Sequence, residues 1–183
     1  MDTAAVGDGS RTVRGPGRVG ANQILAVSLP ESPLAPERRR AVVDAVAARL
    51  LTSDGLRSLA PDHPQYQGQY GGDQWVRDGA YHQGTVWAWL LGPFALAHFR
   101  VYRDSDAARS FLRPLSDHLG DYRIGSIAEI FDGEPPFRAA GCIAQAWSVA
   151  ETLRAWHELA RGTWPASAHA ACRARAEQPS TSR

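Results

Sequence analysis

TVWAWLLGPFALAHFRVY, residues 85–102, is the stretch on which the fold turns. Trp87, Leu90, Leu91, Phe94, Leu96, Phe99 and Val101 recur at helical spacing and cover most of the circumference. That pattern predicts a helix over residues 85–102, buried on most of its sides. Gly92-Pro93 lies inside it, and proline lacks the N–H that an interior turn uses. The helix is therefore expected to kink or split there.

Working outward, three further helices emerge. Residues 36–51 open with Pro36, which suits a first turn, and carry Val42, Val43, Val46, Ala47 and Leu50 at 3.6-residue spacing. Residues 106–119 follow Ser105 as a cap, with Phe111, Leu112, Leu115 and Leu119 inward. Residues 143–159 place Ile143, Trp147, Ala150, Leu153 and Trp156 along one side, and Gly162 marks the end. A short helix is expected at residues 22–28. No alternating strand pattern of useful length occurs, so the fold class is all-α.

The 183 residues suffice for one domain with a core of its own. Hydrophobic residues make up 44% and charged residues 21%, the balance of an ordinary globular chain. A net charge of +1 lacks the basic surplus of a polyanion binder, so no nucleic-acid partner is expected. No apolar run reaches the ~18–20 residues of a membrane span, and no basic-then-apolar leader opens the chain. Two cysteines, Cys142 and Cys172, form no disulfide framework, which makes the cytoplasm the default compartment. Residues 1–21 and 161–183, poor in large apolar side chains, are expected to be disordered tails around an informative region at 22–160. Residues 168–176 could turn transiently helical but have nothing to dock with.

Two long connections, residues 52–81 and 120–142, carry Tyr66, Tyr70, Trp75, Phe131 and Phe137. Disordered loops seldom hold such residues, so both connections are expected to be ordered and functional. The denser segment is GDQWVRDGAYHQGTVWAW, residues 72–89. Aromatic faces beside Asp, Arg, His and Gln suit a sugar, whose ring stacks while its hydroxyls take hydrogen bonds. Trp87 and Trp89 taken alone read more readily as core residues than as a binding surface, and Arg77 with Asp78 as a local ion pair.

The other segment, GSIAEIFDGEPP at 125–136, sets Glu129 among Ile127, Ile130 and Phe131. A carboxylate in such surroundings can be tuned for acid–base work. Spacing alone does not separate Glu129 from Asp132 or Glu134. Gln145, at the start of the last helix, could face the same pocket or serve only that helix start. The histidines show no metal-ligand spacing, so neither metal nor other cofactor is expected.

Five strings then occur in one order: NQILAVSLP at 22–30, TSDGLRSL at 52–59, YHQGTVW at 81–87, SIAEIFDG at 126–133 and GCIAQAWS at 141–148. Together they resemble the C-terminal amylo-α-1,6-glucosidase region of glycogen debranching enzymes. The resemblance implies an (α/α)6 toroid of six helical hairpins with a glucose site at one mouth, hydrolysing α-1,6-linked glucose at glycogen branch points with inversion. It puts Glu129 in the place of the general base. It also sets His82, Gln83, Trp87 and Gln145 on segments lining the glucose subsite, with Tyr81, Asp78 and Trp75 near it. The family's general acid lies upstream in a Trp-Met-Asp context that this chain lacks. The chain therefore reads as the C-terminal half of the toroid, with glycogen or a branched α-glucan as substrate and the missing N-terminal half as a possible partner. The alternative is a non-catalytic, α-glucan-binding or structural helical remnant.

Overall fold

The computed structural model describes residues 19–121 and 125–162. Most of the two expected tails, including the stretch at 168–176, and Cys172 lie outside the described residues. The architecture is helical. A 3-10 turn at Ala21–Ile24 runs into α1, Leu25–Ser28, then α2, Pro36–Leu50, and α3, Gln74–Ala80. Next come α4, Leu91–Tyr102, α5, Ser105–Ser110, α6, Arg113–Asp121, and α7, Ala146–Ala160. No helix among the described residues is long and apolar enough to cross a membrane.

The centre is α4. Leu91, Phe94, Ala95, Leu96 and Ala97 are fully or almost fully buried, as the all-round apolar pattern requires. It packs against α1, α2, α5 and α7. Phe94 meets Phe111 edge to face with ring centroids 5.1 Å apart. The Arg100 guanidinium donates to the carbonyls of Val27 and Leu29 at 2.8 and 2.7 Å, which satisfies the otherwise open end of α1.

Several element boundaries differ from expectation, each for a local reason. Val86–Trp87 is a strand and Ala88–Leu90 a 3-10 turn, so α4 begins only at Leu91. Pro93 thus falls in the first helical turn, where an N–H has no intrahelical partner to lose. The expected helix at 106–119 is two helices, because Pro114 cannot donate back to Ser110 and its ring would strike that carbonyl. The cap is Asp104, not Ser105: its carboxylate accepts from the N–H groups of Asp106 and Ala107 at 3.1 and 2.9 Å.

The largest difference concerns α7. The stripe of Ile143, Trp147, Ala150, Leu153 and Trp156 faces solvent, with Trp147 and Leu153 each 64% exposed. The buried face is instead Ser148, Ala155 and Leu159. Ser148 and Ala155 are small because α4 and α7 approach backbone to backbone at Gly92, and Leu159 fits beyond that crossing. A Cβ on Gly92 would lie 2.5 Å from the Glu151 carbonyl oxygen, so no larger residue fits the crossing. Leu153→Ser is accordingly expected to change unfolding free energy by no more than about 0.5 kcal/mol. Leu159→Ala should cost about 2–5 kcal/mol, and urea denaturation of the two variants would show the contrast.

Four two-residue strands make an antiparallel sheet in chain order: β1 Leu56–Arg57, β2 Val86–Trp87, β3 Ile130–Phe131 and β4 Ala139–Ala140. Trp87 pairs with Leu56 and Ile130, and Ile130 with Ala140. Strands this short cannot display an alternating pattern, which is why the sequence hides them. The sheet gathers both long connections onto one ladder. Beyond β3 and β4, the Glu129 N–H donates to the Cys142 carbonyl at 3.0 Å.

Candidate active site

Glu129 stands at the rung where that ladder ends, flanked by Ile127, Ile130 and Phe131, all almost fully buried. Its own side chain is half-buried and lines a cavity of about 410 Å³ together with Tyr70, Arg77, Asp78, Tyr81 and Cys142. The carboxylate is held from two sides. Oε2 accepts from the Cys142 N–H at 2.9 Å and Oε1 from the Gln145 amide at 3.0 Å. The Tyr81 hydroxyl is a third partner. Burial and the hydrogen bond to Glu129 raise it above the ordinary tyrosine range, so it stays a proton donor at neutral pH.

The other two carboxylates of this segment have different employment. Asp132 is nearly buried and accepts from the Tyr70 N–H at 2.8 Å and from Arg138 Nε at 3.2 Å. Arg138 also donates to the Tyr70 carbonyl at 2.8 Å, so Asp132 and Arg138 together fix the backbone that brings Tyr70 to the cavity. Glu134 accepts from the Tyr66 hydroxyl at 2.6 Å, and burial together with that carboxylate pushes Tyr66 up to about 12. Among the three, Glu129 is the one whose carboxylate lines the cavity.

Glu129 is positioned from behind as well. The Ala128 N–H donates to His118 Nε2 at 3.4 Å, and the Ser148 hydroxyl donates to the Ala128 carbonyl at 3.0 Å. The Gln145 N–H donates to the Ile127 carbonyl at 2.9 Å. Gly141, at φ +71°, completes the cradle: a Cβ there would fall 2.5 Å from Glu129 Oε2. Gly141→Ala is therefore expected to push the carboxylate from its place and to lower turnover by at least tenfold, with about 2–4 kcal/mol lost from stability through the left-handed backbone and the displaced carboxylate. Steady-state kinetics set beside a melting curve would separate the two effects. Neither Gly141 nor the Cys142 N–H was singled out in the sequence; Gly141 is legible only through its left-handed backbone.

The remaining candidate residues divide. Asp78 and Tyr81 share the cavity of Glu129, and Gln145 touches its carboxylate. His82 and Trp87 stack on each other, with ring centroids 5.1 Å apart and an angle of 6° between the rings. They line a second cavity. Tyr81 meets both rings edge-on at 4.8 and 4.9 Å, so the trio forms a wall between the two hollows. Gln83 is half-buried and its Oε1 is buried without a partner among the described residues. Trp75 is 87% exposed on α3, a helix capped by Asp73 accepting from the Val76 N–H at 3.0 Å.

A helical domain that offers a tethered carboxylate, tyrosines and an open cavity on its inter-helix loops has the layout of a helical glycoside hydrolase. Comparison with protein families gives the particular assignment. Residues 11–154 match the family described as amylo-alpha-1,6-glucosidase, and the chain belongs to that family of glycogen-debranching-type glycosidases. The family has the α/α toroid fold, in accord with the helical architecture, and its chemistry implies a carbohydrate substrate. No curated protein matches the chain in sequence.

Proposed function

We propose that this chain carries the base half of an inverting α-1,6-glucosidase site, acting on glucose linked at the branch points of glycogen or a related α-glucan. The observation that carries the reading is the posture of Glu129: a cavity-facing carboxylate held on both oxygens, by the Cys142 N–H and the Gln145 amide, with the Tyr81 hydroxyl as a third donor. Each carboxylate oxygen retains lone-pair capacity beyond its bond to Cys142 or Gln145. A water seated over the carboxylate gives up its proton to Glu129 while its oxygen attacks C1 of the glucose. The glycosidic oxygen leaves from the opposite face and takes a proton from an acid there, the usual separation of the two carboxyl groups being ~6.5–9.5 Å. Tyr70 and Tyr81 supply apolar ring surface and hydroxyls for the sugar, and Arg77 and Asp78 supply polar contacts. His82, Gln83, Trp87 and Gln145 belong to the same substrate-binding assembly, Gln145 through its hold on Glu129. The domain at 22–160 is the unit that does this, completed by a proton donor from the upstream part of the toroid.

A substrate that needs no acid tests the base alone. Fluoride departs from α-glucosyl fluoride with little proton assistance, so the reaction with water yields glucose and HF by base catalysis only. The expected product, followed by NMR at early times, is β-glucose. Formation of α-glucose first would rule out inversion, and no turnover above the buffer rate would remove the base from Glu129.

A further inference from the structure

Asp132-Gly133-Glu134, the acidic run that the base at Glu129 leaves unused, grips a loop. Along residues 65–70 exposure alternates: Tyr66, Gly68 and Tyr70 are half-buried, while Gln65, Gln67 and Gln69 are exposed. Three successive residues hold those three alternate ones in antiparallel order. The Glu134 carboxylate accepts from the Tyr66 hydroxyl at 2.6 Å, and the Gly133 N–H donates to the Gly68 carbonyl at 2.6 Å. The Asp132 carboxylate accepts from the Tyr70 N–H at 2.8 Å. Both glycines follow from the closeness of the two segments. A Cβ on Gly68 would lie 2.8 Å from Glu134 Cγ, and one on Gly133 would strike the Gly84 carbonyl.

The grip is charged at its Tyr70 end, where Arg138 closes a ring. Its guanidinium donates to Asp132 at 3.2 Å and to the Tyr70 carbonyl at 2.8 Å, and its own carbonyl accepts from the Asp132 N–H at 3.0 Å. Both backbone polar groups of Tyr70 are thus bound by one ion pair. Bonds to ionised groups are roughly twice as strong as neutral ones, and a nearly buried carboxylate such as Asp132 needs these partners. Of the three gripped residues, only Tyr70 lines the cavity of Glu129.

We infer that Asp132 and Arg138 are positioning residues of the glucosidase site: they fix Tyr70 beside Tyr81, with ring centroids 5.8 Å apart, and so set how tightly the sugar is held without touching it. This inference rests on the glucosidase reading above. Glu129 takes its own bonds from Cys142, Gln145 and Tyr81. Loosening Tyr70 therefore weakens binding of ground state and transition state alike and leaves the proton transfer as it was. A loss of that kind raises KM and spares kcat.

The test is hydrolysis of α-glucosyl fluoride by variants of the full chain. Asp132→Ala should raise KM about tenfold and Arg138→Gln about threefold, with kcat within about threefold of wild type in both. Arg138 is largely exposed, so its variant folds even if Asp132→Ala does not. In a Tyr70→Ala background either change should add less than about twofold to KM. Unchanged KM, a fall in kcat in its place, or full additivity with Tyr70→Ala would overturn the inference, because a mere brace of the fold acts without regard to the Tyr70 ring. Exchange of the Tyr70 amide, followed by NMR, needs no turnover. It should be at least about tenfold faster in Asp132→Ala and about threefold faster in Arg138→Gln; exchange equal to wild type would overturn the inference as well. A wild type that leaves the fluoride untouched would sink the glucosidase reading, while amide exchange still decides whether the pair holds Tyr70.

Discussion

Replacing Glu129 by glutamine is expected to slow hydrolysis of α-glucosyl fluoride by roughly 10²–10⁴. The amide has the size of the carboxylate but no capacity to take a proton from water. It also turns one acceptor into a donor, opposite either the Cys142 N–H or the Gln145 amide. Opposite the Cys142 N–H that contact is lost, at a local cost of about 1–3 kcal/mol; opposite Gln145 a bond survives when that amide turns its oxygen to accept. Glu129→Asp supplies the control for that side effect. It keeps the charge but draws the carboxylate back from the cavity by one methylene, so its rate should also fall while its melting curve stays closer to that of wild type. Rates are compared well below the melting temperature of the weakest variant. If Glu129→Gln turned over the fluoride as fast as wild type, the carboxylate would have no part in the chemistry, and Asp78, the other acid lining the cavity, would be the group to change next.

Phe94→Ala should produce the largest loss of stability, about 3–5 kcal/mol. Phe94 is fully buried at the centre of α4 and touches both His98 and Phe111, with centroids 6.4 and 5.1 Å away. The cavity left behind would be walled by helices that already meet at backbone distance, so little collapse can fill it. For a chain of this size the loss corresponds to a fall in melting temperature of roughly 6–20 °C. Calorimetry decides it; a shift of less than 2–3 °C would mean that α4 is not the packing centre.

What the sequence displays of this molecule is its helical periodicity, and what it hides is direction. The apolar circumference of residues 85–102 announced a buried helix because every face answered alike. In α7 the large apolar residues pointed to the wrong face. Size does not mark burial there: where Gly92 meets the Glu151 backbone, the buried side of α7 is filled by Ser148 and Ala155, with Leu159 further along. The cap at Asp104 was legible in principle, since Asp and Ser are both good caps and only the turn geometry chooses between them. The candidate site shows the same division. Glu129, Tyr81, Asp78 and Gln145 were singled out from residue chemistry and resemblance, and the fold brings them together. That Asp132 and Glu134 serve Tyr70, Arg138 and Tyr66 instead depends on partners more than sixty positions away in the chain for both tyrosines. The partition between two hollows depends on two-residue strands that carry no pattern.

The first turn of α7 has a consequence for how this protein responds to heat. Gln145 and Ser148 tie the loop of Glu129 to that turn, and the same helix lies on Gly92 of the central α4. Chemistry and architecture thus share one hinge pin, with no slack between them. Inactivation on warming should follow the unfolding transition degree for degree, since this loop cannot loosen ahead of the helices that carry it.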